Sequence, residues 1–490
     1  MVHETAIHTP DATTTDTGSQ RHEFELTWKS ARTPLLFLLC MSGIGLYFYP
    51  AFLVMFALMV KAWRSDRYNF LIMVVLAYGG FQFYPGPTLS RAVFMLPVAI
   101  IGLFIVKKSP MVRKGVLAEC FYLAVIMIVA WKSLEPLSHQ LPVMTTYMTF
   151  MFFVIPLIIF NGRKFCFDEF FRRLYPYCII ICIFYVIDYF ILCGYVLIPS
   201  GDNTSSFWDP DMVPLTFYFR RMRPPGLYLL VMLIYPLAHQ WKLKWWNWIF
   251  IIGALAATQT FTVLTGLIFG FVIAQGSLKK YGKYIVSGLL FFAALYCVDA
   301  WISGGSESSV LRVRSQVDQI VGIKTIQDEE DLAEMGTGRM AQALPKLVLI
   351  DELDMQTFGF GFLHPELTTN EIFYVDNPFY TDISKSHEIA TGVEISSVQL
   401  FLNMGWFGLV CHVIWLVWLW WIVRRQPMGK HFLTVMVVFL WFGIGGYSGM
   451  NQQVGQLLAS VAFAGIILAD TERAANKLPE GPAAYSGKSL

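Results

Sequence analysis

Arg220, Arg221 and Arg223 stand directly before the apolar run that begins at Gly226. Guanidinium forks match phosphate oxygens in bidentate geometry, so this cluster suits an anionic, phosphate-bearing partner. Snorkelling to lipid headgroups, or pairing with acidic loop residues, would use the same arginines differently. A further guanidinium, Arg339, opens an amphipathic stretch in Thr337-Gly338-Arg339; an ion pair with a carboxylate such as Glu334 is its alternative use. His387, in Lys385-Ser386-His387-Glu388, lies just upstream of another apolar run. There a loop meets the membrane surface, a suitable level for an imidazole that takes a proton from a membrane-borne substrate. His364, in Gly361-Phe362-Leu363-His364, is a second histidine of this kind.

These groups must be held by elements, and composition says what kind. The chain of 490 residues is 56% hydrophobic and only 14% charged. A soluble protein carries about a quarter charged residues. The apolar residues fall in runs, read as helices at 34–49, 51–63, 69–85, 91–107, 114–132, 143–160, 174–195, 226–239, 247–257, 259–275, 282–301, 397–422, 431–448 and 452–470. Repeated runs of this kind are the signature of bilayer spans. The expected fold class is an all-α polytopic membrane protein with about 12–14 transmembrane helices. Residues 34–63 and 246–275 read either as long kinked helices or as tight pairs.

Charge sets the orientation. The basic connectors are at Lys29/Arg32, Lys61/Arg64/Arg67, Lys107–Lys114, Arg163–Arg173, Lys242/Lys244, Lys279–Lys283 and Arg424–Lys430. Placing them all in the cytoplasm requires an even number of crossings between neighbours. Treating 34–63 and 246–275 as hairpins satisfies this, and both termini then end inside. The expected organisation is a polar cytoplasmic tail (1–28), a helix bundle (29–302) with an outer segment (199–225), a large extracytoplasmic loop (303–395), further helices (396–470) and a second tail (471–490). The loop carries sixteen carboxylates against six lysines and arginines. Loops this long are usually functional. Residues 338–354 read as an amphipathic helix limited by Pro345, within a cap lying on the membrane face.

Several function classes are disfavoured. No P-loop, dinucleotide glycine fingerprint or zinc-binding HExxH is present. The eight cysteines lie in or beside apolar runs, and Cys178 and Cys182, one turn apart, have no further ligand at metal spacing. The intramembrane ionisable residues noted are Asp188, His239 and Asp299, and no chain of carboxylates crosses the spans. That weighs against an ion-coupled pump. Such intramembrane groups are functional candidates by default, and pairing with an outer arginine is the alternative use of Asp188.

The layout resembles the O-antigen polymerase and O-antigen ligase superfamily of bacterial envelope glycosyltransferases. The resemblance rests on Thr337-Gly338-Arg339, Phe358-Gly359-Phe360-Gly361, Ser386-His387, Gly405-Trp406-Phe407-Gly408 and Arg223-Pro224-Pro225-Gly226, in that family's arrangement. The family commonly has Asn after its histidine; here Glu388 follows, a carboxylate that could serve as base instead. The resemblance implies metal- and cofactor-independent, inverting transfer of a glycan from a polyprenyl-diphosphate-linked oligosaccharide. Arg220, Arg223 and Arg339 would bind the diphosphate, and His387 or Glu388 would be catalytic. Loop aromatics such as Phe373, Tyr374, Phe379 and Tyr380 would stack on sugars or pack the cap. Polymerisation of repeat units in the bacterial inner membrane is the first expectation, with a chain-length regulator protein as a further partner and no role for nucleic acid. Ligase-type transfer to lipid A core or protein, and a non-enzymatic flippase or transporter, are the alternatives.

Overall fold

The computed structural model describes residues 23–77, 97–106, 109–161, 165–192, 197, 242–258, 293–301, 339–376, 387–392, 396–424 and 463–468, apart from single positions and pairs inside these ranges. The described chain is mostly helical. Its helices are α1 (Trp28–Met41), α2 (Pro50–Ser65), α3 (Arg67–Val75), α4 (Pro110–Lys132), α5 (Leu137–Tyr147), α6 (Thr149–Ile159), α7 (Phe167–Phe190), α8 (Trp245–Thr258), α9 (Arg339–Glu352) and α10 (Ser396–Val423). Four short strands complete it: β1 (Glu23–Phe24) pairs in parallel with β2 (Lys242–Leu243), and β3 (Tyr374–Asp376) antiparallel with β4 (His387–Ile389). β1 falls inside the stretch read as an N-terminal tail.

Local chemistry sets the helix starts. Thr27 and Ser30 form a capping box at α1, the Asp66 carboxylate accepts from Asn69 N–H at α3, and Ser109 Oγ accepts from Val112 N–H with Pro110 following. Each satisfies an N–H that has no partner within the first turn. The stretch 34–63 resolves into two helices, α1 and α2, packed on each other. The run 143–160 belongs instead to α5 and α6, which part at Met148; α5 starts earlier, at Leu137 after Pro136. Helix α9 continues through Pro345 rather than ending there.

Among the described residues, three helical stretches, Pro110–Lys132, Glu169–Asp188 and Val398–Val423, are long and apolar enough to cross a membrane. The faces of the first and third agree with that. Along α4, Gly115, Glu119, Tyr122, Ile126 and Val129 are buried, whereas Leu117, Ala124, Ile128 and Trp131 are exposed. Along α10, Trp415, Leu419 and Ile422 are buried while Trp406, Val410, Ile414, Val417 and Trp421 are exposed. Exposed apolar stripes of this length have no place in water and suit acyl chains. α4 and α10 pack together, with Tyr122 stacked on Trp415 at 4.4 Å between ring centroids. Gly115 lets Phe153 of α6 and Ile467 approach, since a Cβ there would stand 2.7 Å from the phenyl ring.

One end of the bundle collects basic connectors. Arg173 bridges Asp66 and Glu169 at 3.0 and 2.9 Å, Tyr68 accepts from Cys166 N–H, and Asn161 donates to the Ile105 carbonyl. The start of α4, Pro110, is five residues from Ile105 at this end. Its last turn, roughly 34 Å away at 1.5 Å per residue, carries the other end, where residues 339–376 and 387–392 are seated.

Candidate functional site

Arg339, His364, His387 and Glu388, four of the residues singled out from the sequence, fall on a small cap built on the end of α4, α5 and α10. The cap has its own core, formed by Ala343, Ile350, Phe360, Leu363, Phe373, Ile389 and Ala390, and joined by Leu402 of α10. A strip of alternating phenylalanine and glycine, residues 358–362, forms the seam between cap and bundle. Phe358 meets Phe407, Phe360 turns into the cap core against Phe373, and Phe362 turns into the bundle core against Tyr147.

A break in α10 holds this strip. Gly405 has φ 61° and ψ −168°, a backbone region open essentially to glycine alone. A continuous helix would bond Trp406 N–H to the Leu402 carbonyl and Phe407 N–H to the Asn403 carbonyl. Here those two bonds are replaced by four. Trp406 and Phe407 donate to the carbonyls of Gln356 and Thr357, at 2.8 and 3.0 Å, while Phe360 and Gly361 donate to the carbonyls of Leu402 and Asn403, at 2.7 and 3.0 Å. The Trp406 and Phe407 N–H groups and the Leu402 and Asn403 carbonyls, all released by the break, therefore find partners, as a buried position requires. The approach is close: a Cβ on Gly359 would lie 2.5 Å from the Asn403 backbone, and one on Gly405 would lie 2.4 Å from the Thr357 carbonyl. The two glycine motifs that carried the family resemblance are thus in direct contact.

Side chains of α4 and α5 fix the other edge of the strip. Ser133 Oγ donates to the Phe360 carbonyl at 2.6 Å, and Gln140 Oε1 accepts from Phe362 N–H at 3.2 Å. Gln140 Nε2 in turn donates to the Ala130 and Glu135 carbonyls, which closes the end of α4. Asn403 Nδ2 donates to Tyr147 Oη at 2.7 Å, in full burial.

Of the proposed site residues, Arg339 is the first residue of α9, and His387 and Glu388 are in β4, opposite Asp376 and Val375. Glu388 Oε2 accepts from Lys346 Nζ at 2.7 Å, and the same ammonium donates to the Gly392 carbonyl at 2.6 Å. Lys346 is buried, and this clasp ties α9 to β4. The cap therefore links the helix that Arg339 opens to the strand that carries His387. His364 is half-buried beside the strip; its N–H donates to Thr368 Oγ1. Arg220, Arg221, Arg223, His239, Asp299, Glu334, Phe379 and Tyr380 lie outside the described residues. Both oxygens of buried Asp188 accept from Leu197 N–H. Cys178 and Cys182 are free and buried, and among the described residues no group of three potential ligands could hold a metal.

Sequence reasoning passed over four groups. Lys346 interrupts the apolar face Ala343–Ile350 of α9, a signal legible as a lone cation at helical spacing. Glu119 and His412 are ionisable residues within two of the long apolar helices; Glu119 is buried in α4, and His412 Nδ1 meets Tyr122 Oη at 2.8 Å. Glu135 and His139, four apart across the start of α5, make an ion-pairing contact at 3.1 Å. No family model matches the chain, and no curated protein is significantly similar to it.

Proposed function

We propose that this protein is an integral-membrane glycosyltransferase that extends a glycan carried on a polyprenyl diphosphate, polymerising repeat units for a surface polysaccharide. In this reading the chain crosses the bacterial inner membrane through 12–14 helices. The basic connectors and both termini are cytoplasmic, and the cap is extracytoplasmic. The separation of the basic end of α4 from its cap-bearing end supports that orientation.

One observation carries the reading furthest: the seam between the phenylalanine–glycine strip and broken α10. It ties the cap to the ends of membrane-crossing helices, at the level where exposed Trp131 and Lys132 suit an interface. A lipid-linked diphosphate has its phosphates at this level and its sugars in the cap. Arg220 and Arg223, before the next apolar run, and Arg339, at the start of α9, are proposed to neutralise the diphosphate as it leaves. Charge stabilisation by fixed guanidiniums needs no metal for this step. The acceptor hydroxyl attacks the anomeric carbon from the opposite face, which inverts its configuration. On the cap, β4 offers His387 and Glu388 as groups to take the hydroxyl proton, although one oxygen of Glu388 is already committed to Lys346.

The test is to supply purified protein in lipid nanodiscs with polyprenyl-diphosphate-linked repeat units alone. A ladder of longer lipid-linked products is expected. Product only after addition of lipid A core or an acceptor protein would make the enzyme a ligase, and lipid-linked glycan moved across the bilayer without extension would make it a transporter. Arg223→Ala and Arg339→Ala are expected to lower turnover by about a hundredfold each, the scale of losing one oxyanion-stabilising donor. Full turnover in both variants would rule out the diphosphate clamp.

A further inference from the structure

The proton acceptor has a stronger geometric case outside the cap. Where α4 ends and α5 begins, His139 Nδ1 lies 3.1 Å from Glu135 Oε2. An ionised Glu135 can only accept, so a neutral imidazole here carries its hydrogen on Nδ1 and its lone pair on Nε2. The Glu135 side chain is only 2% exposed, whereas His139 is 32% exposed. The imidazole thus reaches solvent with its orienting carboxylate sealed behind it.

Glu135 Oε1 is also buried, and it has no hydrogen-bond partner among the described residues. A buried carboxylate with one oxygen unsatisfied is costly to keep unless its charge is used. A proton arriving on His139 would supply the missing counter-charge. The dyad is built into the seam. Glu135 N–H donates to Ser133 Oγ, Ser133 holds the Phe360 carbonyl, and Gln140 holds both the Glu135 carbonyl and Phe362 N–H. A base oriented by a carboxylate, fixed by neighbours and set beside a docked loop has the form of an activated general base.

We infer that the Glu135–His139 dyad is the general base of the transfer, with His139 catalytic and Glu135 the positioning residue; this rests on the glycosyl-transfer reading above. As the acceptor hydroxyl oxygen bonds to the anomeric carbon, its proton passes to His139 Nε2. The bond from that carbon to the diphosphate oxygen breaks, and the diphosphate leaves with the electron pair. Glu135 stabilises the imidazolium, which then returns its proton to water.

The experiment uses full-length protein in nanodiscs with polyprenyl-diphosphate-linked oligosaccharides. His139→Asn keeps a donor towards Glu135 but removes the base. It is expected to lower kcat at least about a hundredfold, within the range for general-base catalysis, with KM for the lipid-linked donor unchanged. Glu135→Gln is expected to lower kcat less, again without a change in KM. His139→Asn with wild-type kcat overturns the inference, and so does a variant whose donor binding and turnover fall together, which marks a structural role. Product from the wild-type protein alongside an unimpaired His139→Asn sinks the dyad but spares the glycosyl-transfer reading. No product from the wild-type protein under any acceptor condition overturns both.

Discussion

Replacing Gly405 with alanine tests the seam directly. At φ 61° and ψ −168° a non-glycine residue costs on the order of 1–3 kcal/mol. The new Cβ would also stand 2.4 Å from the Thr357 carbonyl, which cannot retreat without giving up the bond it accepts from Phe407 N–H. The relaxed outcome is an α10 that closes into a continuous helix. Its two internal bonds re-form, and the four to the strip are lost. Each buried hydrogen bond contributes about 1 kcal/mol net, so the exchange costs the cap roughly 2 kcal/mol. Closing the helix relieves the strain at residue 405, so this route sets the cost at about 2 kcal/mol, or roughly thirtyfold in the local opening equilibrium. Hydrogen exchange in nanodiscs reads it at separate amides. Phe360 and Gly361 should lose protection by roughly thirtyfold, while Trp406 and Phe407 keep theirs by pairing within the helix. Unchanged protection at Phe360 and Gly361 in Gly405→Ala would refute the account of the broken helix.

Three further outcomes are expected. Lys346→Met releases Glu388 and the Gly392 carbonyl, and should destabilise the cap by about 1–3 kcal/mol; faster limited proteolysis within 376–392 checks it, and Lys346→Arg should recover part of the protection. Tyr147→Phe leaves the buried Asn403 amide without its 2.7 Å partner, which should cost about 1–3 kcal/mol in unfolding measured in detergent, with the secondary structure retained. Val417→Lys puts a charge on the exposed apolar stripe of α10, where a lysine at mid-bilayer costs about 2.5–3.5 kcal/mol of insertion. A glycosylation-based insertion assay should register that loss, whereas a lysine on a water-facing stripe would cost nothing.

Membrane character was legible in the sequence because it depends only on the amount and run length of apolar residues. Hydropathy located α10 closely, placed the start of α4 four residues late and α7 seven residues late at its start, and the amphipathic period located α9. Order along the chain also marked Phe358-Gly359-Phe360-Gly361 and Gly405 as belonging to one arrangement. Local pattern did not extend to contact. That Gly405 breaks its helix, and that the freed carbonyls of Leu402 and Asn403 receive the strip, depends on φ values that glycine permits without requiring. Likewise Lys346 is a surface residue by type and buried only because Glu388 and Gly392, more than forty residues later, surround its ammonium. Glu135 and His139 stand in a short polar interval between two apolar runs, with nothing in type or spacing to single them out. Burial separated their roles, sealing the carboxylate and leaving the imidazole open, and burial is set by what packs on a residue from elsewhere in the chain. The sequence by itself thus determined which segments suit a bilayer and which residue types stand near its surface. Tertiary structure decided which of them meet, because hydrogen bonds and ion pairs between distant segments exist only once the cap is seated on the helix ends.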